Sequence, residues 1–210
     1  MSEAPPTLSS GRSRGILIGF ALAIGALMAL AVYSISRMSS LPWTPPLRHL
    51  NIQSSERTDL PQIDHPEFQR FLQTAKAEGK WTLLSFWSVT CPPCLQELPS
   101  LNAMAESWQG PGLQVMTVNG DQPEDVESAR SFLLQEQISI PSIFDPKYRI
   151  KEGFKIEVFP THFLIDPEQK IVWREIGAFD WNSQSSRDQI IKLMERQAQG
   201  TPAEPDETVE

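Results

Sequence analysis

The tetrapeptide Cys91-Pro92-Pro93-Cys94 limits what this chain can fold into more than any other feature, because it stands between two contrasting patterns. Residues 81–87 before it form a largely apolar run with the length of a buried strand. Residues 95–108 after it place apolar side chains at helical spacing. The dithiol is therefore predicted to occupy the first turn of a helix, where unpaired backbone amides and the helix dipole favour a thiolate.

This placement predicts thiol-disulfide exchange as the chemistry of the two cysteines, which are the only ones in the chain. Prolines at both intervening positions are compatible with a helix start, since those positions lack a helical hydrogen-bond partner in any case. We expect Cys91, at the exposed end, to be the nucleophile that forms a mixed disulfide with a client. Cys94, one turn behind it and more buried, would then resolve that intermediate.

Two other interpretations of the cysteine pair are disfavoured. A purely structural disulfide would close only a very short loop, and such a loop restricts the unfolded chain little. A metal half-site would need further ligands, and His49, His65 and His162 have no ligand spacing to the cysteines or to one another.

Residues 15–36 are predicted to form a single transmembrane anchor, because they contain no charge and are long enough to cross a bilayer core as a helix. Arg12 and Arg14 precede this segment and only Arg37 follows it closely, so residues 1–14 are expected in the cytoplasm. A cleaved signal peptide is the alternative, since Ala29-Leu30-Ala31 could serve as its cleavage site. Either arrangement exports the folded part of the chain.

The remaining chain divides into three parts by composition. Residues 37–61 are rich in proline and serine and are predicted to be a linker. Residues 62–199 are predicted to be one folded domain, and residues 200–210 a disordered acidic tail. The formal net charge of −8 argues against nucleic acid as a partner.

Changes of hydrophobic period within residues 62–199 predict an α/β domain with a mixed central sheet and helices on both faces. Residues 166–169 are a turn-forming stretch suited to an antiparallel hairpin. The predicted helices are 64–79, 91–108, 125–137, a turn or short helix at 148–154, and 187–198; the predicted strands are 81–87, 113–118, 161–165 and 171–176.

Two motifs within this domain resemble those of the thioredoxin superfamily. Phe86-Trp87 precedes the cysteine tetrapeptide, and Val158-Phe159-Pro160-Thr161 follows it far downstream. With Glu97-Leu98-Pro99 and an exported, anchored form, the chain most resembles the TlpA/ResA-like branch of membrane-anchored thiol-disulfide oxidoreductases. The resemblance covers about residues 62 to 198 and implies a thioredoxin fold.

The resemblance also implies which residues meet a client protein. Pro160 would follow a cis peptide bond beside the active site, an uncommon geometry outside specific roles. Phe159 and Thr161 would pair with a client strand next to Cys91. Trp87 would be the aromatic residue beside the dithiol.

One acidic residue is a candidate proton acceptor for the resolving thiol. Ser85 stands where cytosolic thioredoxins carry a buried aspartate, so the proton must go elsewhere. The resemblance assigns this role to Asp121, whereas capping of a helix that starts near Pro123 is the alternative. His162 is predicted to be a partly buried strand residue on the face opposite Thr161, not a catalytic group.

The resemblance implies a reductase of the cytochrome c or copper-site maturation type, with protein thiol and disulfide clients and a membrane electron donor. It would lie in the inner membrane with its catalytic domain in the periplasm, and would need no cofactor or metal beyond the Cys91-Cys94 disulfide. Two alternatives stay open: a dithiol oxidase, since direction depends on reduction potential, and a non-catalytic module that holds copper(I). Peroxidase chemistry is disfavoured, since the proline and threonine that precede a peroxiredoxin nucleophile are missing before Cys91.

Overall fold

The computed structural model describes residues 57–108 and 110–199. The predicted cytoplasmic segment, membrane anchor, most of the linker and the acidic tail lie outside these residues. Within the described part, no helix combines the length and apolarity that crossing a membrane requires.

Helices and strands alternate along the described chain, and most of them lie where the hydrophobic period predicts them. A 3₁₀-helix at Pro123–Asp125 leads directly into the third helix. The strands are β1 Thr58–Asp59, β2 Trp81–Trp87, β3 Leu113–Asn119, β4 Ser142–Phe144, β5 Thr161–Ile165 and β6 Lys170–Ile176, and the helices are α1 Pro66–Ala77, α2 Pro92–Glu106, α3 Val126–Gln135, α4 Arg149–Gly153 and α5 Gln184–Ala198.

The strands form one mixed six-stranded sheet in the order β1-β6-β5-β2-β3-β4. Strands β2, β3 and β4 are parallel, whereas β5 runs antiparallel to both β2 and β6. Phe86 on β2 lies opposite Thr161 on β5, so the end of β2 that leads to the dithiol meets the start of β5. The topology thereby brings the two motifs of the thioredoxin resemblance to the same end of two adjacent central strands.

Strand β2 is buried along its whole length and supplies side chains to both faces of the sheet. Because successive side chains of a strand point to opposite faces, alternate residues enter two separate cores. Leu83 and Trp87 join the core under α2 and α5, whereas Leu84 and Phe86 join the core under α1 and α4. The predicted mixed sheet with helices on both faces is confirmed.

The two edge strands are absent from the sequence prediction. Strand β1 falls inside the predicted linker, where Thr58 pairs with Ile171. Pairing with β6 orders this short segment, although its composition carries no strand pattern. Strand β4 has three residues and, within the described part of the chain, pairs with β3 alone.

Candidate active site

The dithiol occupies the amino end of α2, as predicted. Cys91 is the N-cap of this helix and is joined by a disulfide to Cys94, with the two Cα atoms 5.3 Å apart. The sulfur of Cys91 accepts a hydrogen bond from the Cys94 N–H at 3.3 Å. Cys91 is partly exposed, whereas Cys94 is 1% exposed and lies in the core under α2 and α5. An attacking thiolate from outside can therefore reach the first sulfur only.

A buried carboxylate holds the loop that leads into Cys91. Asp121 is 4% exposed, and its carboxylate accepts hydrogen bonds from the Ser88 hydroxyl, the Val89 N–H at 2.8 Å and the Asn119 side-chain amide at 2.6 Å. The Ser88 carbonyl in turn accepts the Cys91 N–H at 3.2 Å. The position of the nucleophile is thus linked to this carboxylate through the loop.

The structure does not support the capping alternative for Asp121. The 3₁₀-helix begins after Gln122, which makes no side-chain capping bond, and Asp125 precedes α3 without one. Among the described residues, no hydrogen bond joins Asp121 to either cysteine sulfur, and both of its carboxylate oxygens already accept hydrogen bonds. Its role as proton acceptor stays a prediction.

The peptide bond between Phe159 and Pro160 is cis, as the resemblance implies. Phe159 is partly exposed and Val158 before it is 52% exposed, so this segment presents apolar side chains at the surface. It lies just before β5, whose first residue meets the end of β2. The exposed apolar surface at this end of the sheet therefore lies on the residues before Pro160.

The expectation for Thr161 is wrong in part. Thr161 pairs with Phe86 on β2 and with Ile176 on β6, so its backbone lies inside the sheet and not at an open edge. Its side chain is fully buried, and the hydroxyl donates to the Val158 carbonyl at 2.6 Å. Thr161 fixes the segment before the cis bond but cannot pair with an added client strand.

The ring of Phe159 packs closely against the end of β3. A Cβ atom added at Gly120 would lie 2.7 Å from its Cζ, so only glycine leaves room for the ring in this position. The Lys151 ammonium lies 5.2 Å from the centre of the same ring, within the range of a cation-π contact. The partly exposed ring is thus held in place beside one positive charge.

Trp87 does not lie on the client-facing surface. Its side chain is 1% exposed, its indole N–H donates to the Ser142 hydroxyl at 3.3 Å, and its ring packs near Phe132. The last residue of a strand that is buried on both faces points into the core, which the resemblance alone does not reveal. Trp87 lies in the same core as Cys94 and has almost no exposed surface to offer a partner.

Sequence reasoning missed a buried ionisable pair behind the dithiol. The Glu97 carboxylate lies 3.2 Å from Nε2 of His162, and both side chains are at most 2% exposed. His162 is on the predicted face of β5 but is fully buried, against the rings of Phe179 and Trp181. The available signal was a glutamate three residues after Cys94, directly before the inward-facing Leu98.

None of the described residues form a group of three or more histidine, cysteine, aspartate or glutamate side chains arranged to hold a metal ion.

Known thiol-disulfide oxidoreductases are similar to about half of this chain. ResA of Bacillus cereus, a thiol-disulfide oxidoreductase, is 29% identical over 100 residues, which cover 48% of this chain and 57% of that protein. Sporulation thiol-disulfide oxidoreductase A of Bacillus subtilis is 27% identical over 101 residues, covering 48% and 61% of the two chains. The chain thus spans less than two thirds of the length of these relatives.

Two solved structures share the fold. A protein provisionally named thiol:disulfide interchange protein DsbE, from Chlorobium tepidum, superposes with a TM-score of 0.50 at 29% identity, covering 58% of this chain and 84% of that one. A provisional thioredoxin from Neisseria meningitidis gives a TM-score of 0.50 at 28% identity, covering 60% and 81%. Together with the ResA relatives, they confirm the thioredoxin-like fold and the resemblance to ResA-type proteins.

The family assignment rests on a match to a family model. A model of the AhpC/TSA family matches residues 59–174, from β1 through the dithiol and the cis-proline segment into β6. Because that match covers more than half of the 210 residues, the protein belongs to the AhpC/TSA family.

Proposed function

We propose that the protein is a thiol-disulfide oxidoreductase that exchanges disulfides with client proteins through Cys91 and Cys94. The observation that carries the proposal is the unequal exposure of two bonded sulfurs at a helix start. A purely structural disulfide has no need of one accessible sulfur beside a surface segment such as Val158-Phe159. The names of the ResA relatives support the same activity.

The exchange moves two electrons in two substitutions at sulfur. In the reductive direction, the Cys91 thiolate attacks a client disulfide; the client S–S bond breaks, one client thiolate leaves and a mixed disulfide forms. The Cys94 thiolate then attacks the Cys91 sulfur, and the second client thiolate leaves as the Cys91-Cys94 disulfide forms. The helix amino terminus favours the thiolate that begins this sequence. A dithiol protein would restore the reduced state.

We propose that net flow is reductive and takes place outside the cytoplasm, at the inner membrane. The uncharged segment at residues 15–36 supports an anchor or an export signal, and the family resemblance supports a membrane electron donor and clients in cytochrome c or copper-site maturation. Protease added to cells with a permeabilised outer membrane should digest the domain of the full chain, whereas protection from protease in those cells would contradict this placement.

A trapping experiment tests the activity. In the full chain carrying Cys94→Ser, the mixed disulfide at Cys91 cannot be resolved, so client adducts should accumulate and disappear on treatment with dithiothreitol. The matched control is Cys91→Ser, which makes the same sulfur-to-oxygen change at the other cysteine and leaves Cys94 as the only thiol of the pair. It should form at least tenfold fewer adducts, because the remaining sulfur is 1% exposed.

Two results would contradict the proposal. The first is the absence of adducts from a folded, exported Cys94→Ser protein. The second is equal trapping by both variants, which would mean that exposure does not select the nucleophile.

The direction of net flow follows from the midpoint potential of the dithiol. Reductants such as thioredoxin have midpoint potentials of about −270 mV, and the oxidant DsbA has one of about −120 mV. A reductase should equilibrate with glutathione or dithiothreitol buffers at a potential below about −200 mV. A value close to that of DsbA would leave the exchange activity standing and reverse its direction.

A further inference from the structure

Four connections of the sheet meet at the end that carries the dithiol. Strands β2, β3 and β4 are parallel, so the loop before Cys91, the turn at Gly120 and the segment from Asp145 into α4 all follow carboxyl ends of strands. The antiparallel β5 begins at this same end, directly after the cis-bonded Pro160. A protein that reaches the exposed sulfur therefore meets the side chains that these connections present.

Lys151 on α4 is fixed at this end of the sheet through both its backbone and its stem. Its N–H donates to the buried Asp145 carboxylate at 2.9 Å, and the Asp145 N–H donates to the Asn119 carbonyl at 3.1 Å. A Cβ atom added at Gly120 would lie 3.4 Å from Lys151 Cδ, so the stem runs along that backbone. The Gly120 N–H in turn donates to the carbonyl of Trp87, the last residue of β2, at 2.9 Å. The lysine is thus tied to the ends of both β2 and β3.

Two aromatic rings flank the Lys151 ammonium. Nζ lies 4.9 Å from the centre of the Tyr148 ring and 5.2 Å from the centre of the Phe159 ring, within the range of cation-π attraction. Tyr148 has a φ of 55°, a left-handed conformation that bulky side chains rarely adopt and that is often kept at functional positions. The partly buried ammonium is therefore held in one place between the rings.

The charge of Lys151 has no counter-charge among the described residues. No ion pair includes this ammonium, and the Asp145 carboxylate already accepts three backbone N–H groups at the start of α4. The neighbouring acids Glu152 and Glu157 are exposed and form no ion pair with it. Residues 147–155 carry four basic side chains and one acidic side chain, although the net charge of the chain is −8. A positive site therefore stands at this end of an otherwise acidic protein.

An apolar patch adjoins this cation. The described chain exposes three large apolar side chains, and two of them, Val158 and Ile176, lie beside the cis-bonded Pro160. Val158 precedes the partly exposed Phe159, whose ring contacts Lys151. An apolar centre with a charge at its margin is the usual composition of a surface that docks another protein.

Packing alone does not require a charge at position 151. A methionine would cover the same two rings without desolvating an ammonium. A fixed ammonium, however, loses little side-chain freedom when it pairs with a carboxylate of a partner. The charge of Lys151 is therefore the feature that a partner can use.

We propose that Lys151, Val158 and Phe159 form a docking surface that selects protein clients with an aspartate or glutamate within a few residues of the reacting cysteine. The inference rests on the proposed function and adds the chemical class of its clients. The client carboxylate pairs with the Lys151 ammonium while an apolar client side chain packs on Val158 and Phe159. Lys151 takes no part in making or breaking bonds; it raises the rate at which acidic clients reach Cys91.

The test measures how fast the purified, reduced full chain reacts with three peptides that differ in charge. Each peptide has one cysteine in a disulfide with 2-thiopyridine, and carries glutamate, glutamine or lysine at the second position on either side of it. The Cys91 thiolate attacks the peptide sulfur, that S–S bond breaks, and uncharged pyridine-2-thione leaves and is followed by its absorbance. Cys94 then displaces the peptide as a thiol while the Cys91-Cys94 disulfide forms.

We expect the glutamate peptide to react about fivefold faster than the lysine peptide at low salt, after correction for their rates with dithiothreitol. The glutamine peptide should fall between them. The ratio of the two rates should approach one in about 1 M salt, because salt screens charges at a surface.

The informative variant is Lys151→Met, which keeps the length of the stem and removes the charge. Its glutamate-to-lysine ratio should fall below about 1.5, whereas its rate with the glutamine peptide should change less than about twofold. Lys151→Arg, which keeps the charge, should retain the preference, and Lys151→Glu should reverse it.

Lys155→Met is the matched control, because it removes one charge from the same basic segment at an exposed position that contacts no ring among the described residues. It should keep most of the fivefold preference. Thermal midpoints establish that each variant is folded, and the salt dependence of the wild type tests the charge preference without any substitution.

The outcomes separate this inference from the proposed function. A wild-type protein that reacts with none of the three peptides contradicts the proposed function itself. Equal rates of the wild type with all three peptides, or a preference that survives in Lys151→Met, would overturn the inference and leave the exchange activity standing. An equal loss of preference in Lys155→Met would assign the effect to the overall charge of the segment, and would overturn the role of Lys151 as well.

Discussion

Two buried carboxylates flank the dithiol and are held in different ways. Asp121 and Glu97 are each 4% exposed, but Asp121 accepts its hydrogen bonds from a hydroxyl, a backbone N–H and a side-chain amide, none of which titrates near neutral pH. Glu97 accepts one backbone N–H and contacts a histidine whose second nitrogen has no described partner. Asp121 thus holds the loop before Cys91, whereas Glu97 joins α2 to β5 through a side chain that can take up a proton.

The largest expected effect is on stability, at Asp121. Asp121→Ala leaves three buried or partly buried donors without this acceptor and should lower the free energy of unfolding by about 3 kcal/mol. Urea denaturation measures this loss. Asp125→Ala is the matched control, because that side chain makes no capping bond, and it should change stability by less than about 0.5 kcal/mol. A loss below about 1 kcal/mol for Asp121→Ala would contradict the role of this carboxylate in holding the loop before Cys91.

The next effect is on rate and compares the two carboxylates directly. Glu97→Gln and Asp121→Asn each remove a charge and keep the shape of the side chain. We expect Glu97→Gln to slow resolution of a mixed disulfide about tenfold at pH 7, and Asp121→Asn to change it less than about twofold. Single-turnover release of glutathione measures both. The reverse order would restore Asp121 as the proton acceptor that the family resemblance implies.

The smallest effect is expected at one of the three donors to Asp121. Ser88→Ala removes the hydroxyl but leaves Val89 N–H and Asn119 in place, so the free energy of unfolding should fall by about 1 kcal/mol. Ser185→Ala, at an exposed position, should cost less than about 0.5 kcal/mol in the same urea titration. A Ser88 effect as large as that of Asp121→Ala would show that the hydroxyl alone holds the loop.

Local patterns suffice to predict most of the fold. Strand β2 is recognisable because it is apolar throughout, β5 and β6 because a turn-forming stretch separates them, and α2 because its apolar spacing begins at the cysteines. Strands β1 and β4 escape prediction, since segments of two and three residues cannot display a period. Their order comes from pairing with neighbours that are distant in sequence.

The same division between local and distant information applies to the site. The cysteines and the cis-bonded Pro160 are predictable, because each belongs to a short motif in a recognisable place. The burial of Trp87 and the two-sided pairing of Thr161 depend on which strands become neighbours. The contact of Glu97 with His162 depends on how α2 crosses the sheet, which no periodicity within either segment encodes.

The register of β1 determines at which end of the sheet the described chain begins. Thr58 pairs with Ile171, near the start of β6, whereas Ile176 at its other end lies beside Thr161 and the cis-proline segment. The first described strand therefore pairs at the end of β6 that lies away from the cis-proline segment.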